Sequence, residues 1–220
     1  MEKIVVVGSS GHAKVIVDIV EKQARYAILG FIDGFRQSGA QTLGYQVIGN
    51  ELDLPRLIDE HDIRGAIVAI GDNAVREDVV TRIATLCPHL MFINAIHPSA
   101  VIGSDVSIGV GTVIMAGVVI NPSCRIGNFC IVNTKASLDH DSTMRDFSSL
   151  APGVTTGGNC QIGTHAAVGI GASLRHGISI GEHAVVGGNS MVLEDVNSYT
   201  VAYGSPAKAV RSRARGEKYL

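Results

Sequence analysis

Asp139-His140-Asp141 is the segment of this chain best suited to chemistry. A histidine beside a carboxylate is oriented and made more basic, which suits a general base near neutral pH. Such a base takes the proton that must leave an amine or hydroxyl as it attacks a thioester, and it typically contributes about 10²–10⁴-fold. None of the cysteines (Cys87, Cys124, Cys130 and Cys160) is placed as a nucleophile, so direct transfer in a ternary complex is expected over a covalent intermediate. Near the start of the chain, Gly8-Ser9-Ser10-Gly11 lies between an apolar run and a helical pattern. There, backbone N–H groups and the helix dipole can hold a phosphate. His12 adjoins that turn and is a candidate substrate contact. Asp33 comes 22 residues after Gly11, where nucleotide-binding folds place a ribose-binding carboxylate. Gly71-Asp72-Asn73 forms a further loop of the same kind. The full GxGxxG pattern is missing, so a mononucleotide is expected rather than a dinucleotide redox cofactor.

Two kinds of element must position these residues. Across residues 1–94 the pattern alternates. Strands are expected at Lys3–Val7, Ala27–Ile32, Ala66–Ile70 and Met91–Ala95. Helices are expected from His12 to about Lys22, near Leu52–His61 and at Asn73–Leu86. This predicts a small parallel, Rossmann-like α/β sheet with crossover helices.

From Ile102 the grammar changes to a period of six. Stepping from Ile102 to Val192, fifteen of sixteen positions are aliphatic, and Thr156 is the exception. Two residues before each lies a mostly small side chain, including Ala100, Cys124, Cys130, Ala136, Ser148, Cys160, Ala166, Ala172 and Ala184. Glycine follows the aliphatic residue eight times, at Gly103, Gly109, Gly127, Gly157, Gly163, Gly169, Gly181 and Gly187. Neither a helix nor an ordinary strand has this period. Three hexads complete one turn of a triangular parallel β-helix. The small residue fits the cramped interior, and glycine is expected to relieve each corner. The three cysteines of this region occupy the small inward slot, as compact hydrophobes. His140 follows inward Leu138 where the corner glycines vanish, so it should face outward at a coil corner. His165, His176 and His183 are expected to be exposed. The organisation expected is an α/β domain at 1–94, a β-helix at 95–196 and a C-terminal cap and tail at 197–220.

Bulk properties narrow the partners. Eighteen Lys+Arg against twenty Asp+Glu give no basic surplus for nucleic acid or an anionic membrane. Only four apolar residues follow the charged start before Gly8, and no run approaches the roughly 18 of a membrane span. A cytoplasmic location is therefore expected. Absent Trp and 26 Gly fit a tightly turning β architecture.

The hexads with Gly204-Ser-Pro-Ala-Lys208, together with Gly8-Ser-Ser-Gly-His-Ala-Lys14, Ala69-Ile-Gly-Asp-Asn73, Ile96-His-Pro-Ser-Ala100 and Asn133-Thr…Asp139-His-Asp141, resemble the hexapeptide-repeat sugar acetyltransferases. That family includes bacillosamine-precursor and perosamine N-acetyltransferases and sialic acid O-acetyltransferases. The resemblance implies a left-handed β-helix, His140 as base and Asp141 as the acid that tunes it. It also implies homotrimers with active sites between neighbouring subunits, and acetyl-CoA along the β-helix with no metal required. The nucleotide-linked 4-amino-4,6-dideoxy sugar would be held by the front domain. By resemblance the substrate residues are Ser10, Gly11, His12, Asp33, Gly34, Gly71 and Asn133. Those for acetyl-CoA are Ser149, Ile170 and Gly188. Lys208, in the tail, is a candidate phosphate contact. Gly34, Ala74 and Ser149 stand where relatives carry an acid, a Glu and a His. Sugar O-acetylation is the alternative. A more distant one is a zinc carbonic anhydrase, because His165 and His183 are three hexads apart and could stack.

Overall fold

The computed structural model describes residues 1–219 and divides into two compact units, residues 1–71 with 75–98 and residues 72–74 with 99–220. In the first unit, β1 (Glu2–Val7) is the central strand, and its Ile4–Val7 run is buried. It pairs in parallel with β2 (Tyr26–Ile32) on one side and with β5 (Ile63–Val68) on the other. An edge hairpin, β3 (Gln41–Thr42) and β4 (Tyr45–Gly49), extends the sheet beyond β2, and β6 (Met91–Phe92) lies beyond β5. The hairpin is not among the expected strands. Its two-residue turn has Leu43 at φ +46° and Gly44 at +81°. Both central residues with positive φ make a type I′ turn, which glycine tolerates and leucine merely bears. The third expected strand lies earlier than Ala66–Ile70, because Ala69 and Ile70 already belong to the loop.

Helix α1 (Gly11–Gln23) buries Ala13, Ile16, Val17, Ile19 and Val20, an apolar stripe at helical spacing. It stops at Ala24, which takes the left-handed conformation and donates to the Val20 and Glu21 carbonyls. A capping box of Asn50 and Asp53 starts the turn before α2 (Leu54–His61). Helix α3 spans Asn73–Leu86.

The second unit is the left-handed β-helix. Three parallel ladders of two-residue strands form its faces, with each strand over its counterpart 18 residues away, as Val113 lies over Ile131. The aliphatic column from Ile114 to Val192 is inward and buried, as are Cys124, Cys130 and Cys160, which are free thiols. Ile102, in the first coil, is exposed. Beyond Val192 the coil does not end at once. Thr200–Gly204 adds in parallel to Val185–Val186, and Ala207–Ser212 returns antiparallel as the cap.

The corner glycines need correction. Every sixth residue from Asp105 to Asn189 has φ between +53° and +75°, and this left-handed corner lies two residues beyond the repeated glycine. Most corner residues are not glycine: Asp141, Phe147 and His165 are examples. The repeated glycines serve stacking instead. A Cβ on Gly163 would stand 2.7 Å from the Glu182 amide nitrogen, and one on Gly169 2.7 Å from that of Gly188. Backbone cannot yield there as a flexible side chain would. Gly153 is a true corner glycine, with φ +69° and open space around a Cβ.

These two roles separate experimentally. Gly153→Ala should cost about 1–2 kcal/mol in denaturant unfolding, the strain of a left-handed alanine. Gly169→Ala should cost more, roughly 3 kcal/mol, because it overpacks backbone against backbone. Equal losses would contradict the stacking role.

Candidate active site

His140 stands outward at its corner, with both ring and partner half-exposed. Its Nδ1 lies 2.7 Å from Asp141 Oδ2. A carboxylate only accepts, so Nδ1 carries the proton and Nε2 is left as the free base. Asp141 occupies a left-handed corner, φ +59°. The Asp141 hydrogen bond, followed by the nearby charges of Asp139 and Asp141, outweighs desolvation and raises the His140 pKa above its usual 6.5.

Asp139 holds the histidine from the other side. Its Oδ1 accepts from the His140 backbone N–H at 2.8 Å and from Asn121 Nδ2, one coil earlier, at 2.5 Å. The Asn121 bond leads in holding the Asp139 pKa below the usual carboxylate range. The Asp139 N–H donates to Thr156 Oγ1 at 3.0 Å, one coil later. Thr156 is the lone non-aliphatic residue of the inward column. A hydroxyl buried there without a partner would cost roughly 1–3 kcal/mol, and Asp139 supplies the partner. The coil below offers Gly158 beneath the ring, where a Cβ would meet His140 Nε2 and Cε1 at 2.5 Å. Asn121, Thr156 and Gly158 were not singled out from sequence as site residues. The break in the repeat at Thr156 was a signal, but its partner was not readable.

The candidate acetyl-CoA residues lie elsewhere on the β-helix. Ile170 is exposed, and Gly188 is stacked on it one coil later, with a Cβ position 3.2 Å from the Ile170 carbonyl oxygen. Ser149 Oγ accepts from Asn73 Nδ2 at 3.2 Å. Asn73 belongs to this unit and also donates to the His165 and Ala166 carbonyls. Asn133 Oδ1 accepts from the Thr134 N–H, and Lys208 faces Glu194 at 3.6 Å.

The expected exposure of His165 and His183 is overturned. They are 4% and 3% exposed, their rings stacked at 4.4 Å and 2°. They belong to a corner column running Phe129, Phe147, His165, His183, Tyr199. A period of six tells outward from inward but not which outward column is covered. Among the described residues no group of three or more His, Cys, Asp or Glu could hold a metal.

In the first unit, a cavity of about 550 Å³ opens at the carboxyl ends of β1, β2 and β5, where strand order reverses direction about β1. Gly8, Ser9 and Ser10, then Asp33, Gly34 and Phe35, then Ala69, Ile70 and Gly71 line it. Asn50, Glu51, Leu52 and Arg82 are also part of its wall. Of the predicted substrate residues, Ser10, Asp33, Gly34 and Gly71 meet there. Gly11 and His12 do not line it. His12 Nε2 is buried without a hydrogen-bond partner among the described residues. Burial, then the Arg76 charge, lowers its pKa to about 4. Asp33 ties loops together: Oδ2 accepts from Ser9 N and Oγ at 3.0 and 2.5 Å, and Oδ1 from the N–H of Phe35 and Arg36. Burial alone would raise its pKa, but those donors win and lower it. Arg76, buried, donates to the Ile70 and Gly71 carbonyls at 3.0 Å and shapes the third loop.

Comparison with known proteins then decides the family. Residues 3–83 match the PglD N-terminal domain family. A histidine-to-asparagine variant of perosamine N-acetyltransferase from Caulobacter crescentus, in complex with CoA and GDP-perosamine, superposes with a TM-score of 0.91 at 32% identity, over 96% of this chain and 98% of that one. The chain belongs to the hexapeptide-repeat sugar acetyltransferases. Another structure of this family, the PglB acetyltransferase domain from Neisseria gonorrhoeae in complex with acetyl coenzyme A, matches with a TM-score of 0.88 at 31% identity, over 95% and 99%. A curated family member, UDP-N-acetylbacillosamine N-acetyltransferase of Bacillus subtilis (strain 168), is 33% identical over 118 residues, 53% of this chain and about half (52%) of its own length. As a family member the chain is an acyltransferase.

Two substitutions test the corner. Gly158→Ala should leave the melting temperature nearly unchanged, because the imidazole can swing away. It should lower turnover by up to about 100-fold, the size of an ångström-scale misplacement. Asp141→Asn removes the carboxylate charge and weakens the hydrogen bond that raises the His140 pKa. The base works only when deprotonated, so the acid limb of the pH–rate profile should move to lower pH; an unmoved limb would contradict the dyad.

Proposed function

We propose that this chain transfers acetyl from acetyl-CoA to the amino group of a nucleotide-linked 4-amino-4,6-dideoxy sugar. The observation that carries the reading is the His140–Asp141 pair, 2.7 Å apart, on the outer edge of an acyltransferase β-helix. The free amine attacks the thioester carbonyl carbon while His140 Nε2 takes its proton. The tetrahedral intermediate collapses, the C–S bond breaks, and the departing CoA sulfur receives the proton from His140. Asp141 stabilises the imidazolium formed in between. The reaction is direct transfer with no acyl-enzyme. Ile170 and Gly188 offer an exposed strip for the pantetheine arm, Ser149 is a further acetyl-CoA contact, Lys208 meets phosphate, and Asn133 contacts the sugar substrate. Relatives crystallised with CoA and GDP-perosamine support both co-substrates.

The nucleotide occupies the cavity of the α/β unit, with its phosphates at the Gly8–Gly11 turn and the start of α1. Ser10, Gly34 and Gly71 line its path, and Asp33 keeps the rim in shape. Gly11 and His12 support the turn from within α1. Phe35 is fully exposed at the cavity wall, a ring free to stack on the base. The working form is a homotrimer in the cytoplasm, with neighbouring subunits completing each site.

Release of CoA thiol, followed with UDP-, dTDP- and GDP-linked amino sugars and with hydroxyl sugars, tests the substrate class. Turnover of an amino sugar is expected; turnover of hydroxyl sugars alone would overturn the amine reading. His140→Ala should reduce turnover at least about 100-fold without changing oligomeric state. Phe35→Ala should raise KM for the nucleotide sugar roughly tenfold, as loss of one stacked base does, and leave KM for acetyl-CoA unaltered.

A further inference from the structure

The inward column is aliphatic everywhere but Thr156, and the inter-coil ladder departs from its rule at the same place. On this face, the residue after each inward side chain donates its N–H to a backbone carbonyl of the next coil: Gly103 to Ile120, Asn121 to Leu138, Gly157 to Leu174 and Arg175 to Val192. The two other faces follow the same rule, as in Gly127 to Met144 and Asn133 to Leu150. Asp139 departs from it. Its N–H goes to the Thr156 side-chain oxygen at 3.0 Å instead of the Thr156 carbonyl. Pairing between these two strands is correspondingly reduced to Ser137 with Thr155, while Thr156 and Leu174 pair normally one coil on.

The displaced amide belongs to the residue immediately before His140. Accepting at the hydroxyl rather than the carbonyl changes what holds the end of the strand directly before the corner, while Asp141 keeps its left-handed place in the repeat at φ +59°. Asp139 is then fixed at three points: its amide by Thr156, its carboxylate by Asn121, and that same carboxylate by the His140 N–H. Beneath, Gly158 leaves room for the ring to lie down.

We infer that Thr156 is a positioning residue for the acetyl-transfer base: its hydroxyl diverts one rung of the β-helix ladder so that His140 and Asp141 meet. The inference rests on the reading of His140 as base. It explains why a polar residue is kept in the one inward slot beneath the catalytic corner, where valine would satisfy the repeat.

Thr156→Val removes the acceptor and restores the repeat; Thr156→Ser keeps the acceptor. The valine variant should melt no lower than the parent. Its kcat should fall at least about tenfold, with KM for acetyl-CoA little changed. Its acid limb should move to lower pH as the His140–Asp141 bond loosens. The serine variant should keep kcat within about threefold, since the hydroxyl still meets the Asp139 N–H. Should the valine variant not fold, Thr156→Ala takes its place in the same comparison. Parental kcat and pH profile without the hydroxyl, or a serine variant as slow as valine, would overturn the inference. His140→Ala, run in parallel, separates the two layers. An active Thr156→Val beside an inactive His140→Ala sinks this inference alone, whereas an active His140→Ala sinks the base reading beneath it.

Discussion

Coils of a parallel β-helix stack at the spacing of hydrogen-bonded strands, about 4.8 Å. Every residue therefore sits on its counterpart 18 positions away. That spacing governs the molecule's use of side chains. Where backbone meets backbone, only glycine fits, as at Gly163 and Gly169. Where columns point inward, aliphatic and small residues alternate because the prism has no room for more. Where they point outward at a corner, flat rings can pile up, and Phe129, Phe147, His165, His183 and Tyr199 do so.

The same rule makes the reactive corner a product of three coils rather than one loop. Asn121 lies in the coil before His140, and Thr156 and Gly158 in the coil after. A short segment at the surface would leave a histidine free to sample many rotamers. Here the backbone before it is tied at Asp139, its Nδ1 is tied at Asp141, and the floor under it is bare glycine. Those constraints set the tautomer and raise the basicity together. In the α/β unit a parallel logic holds at lower periodicity, with Asp33 joining the loops after β1 and β2 and Arg76 bracing the loop after β5.

Much of this could be read from the chain alone, because a period of six admits few physical solutions. The β-helix, its inward cysteines and the outward His140 followed from spacing. What spacing does not carry is phase in dihedral space. The left-handed corner sits two residues past the glycines, since Asp, Asn, His and even Phe accept it once the coil imposes it. Burial of outward columns was equally hidden, because it depends on what covers them, and so His165 and His183 were misjudged. Thr156 stood out as an exception, but its meaning lies in a hydrogen bond across coils that no local pattern encodes. The Leu43-Gly44 hairpin was missed for the opposite reason: leucine is a poor turn residue, and the flanking strands are too short to show alternation.

The central claim is that the imidazole held at this corner serves a bound thioester. Diffraction from crystals grown with CoA and a nucleotide-linked amino sugar tests it most directly. The account predicts the sugar nitrogen within about 3 Å of His140 Nε2, the reach of a proton-accepting base, with the CoA sulfur beside it. A pantetheine arm ending in another groove, with solvent alone around His140, would contradict it.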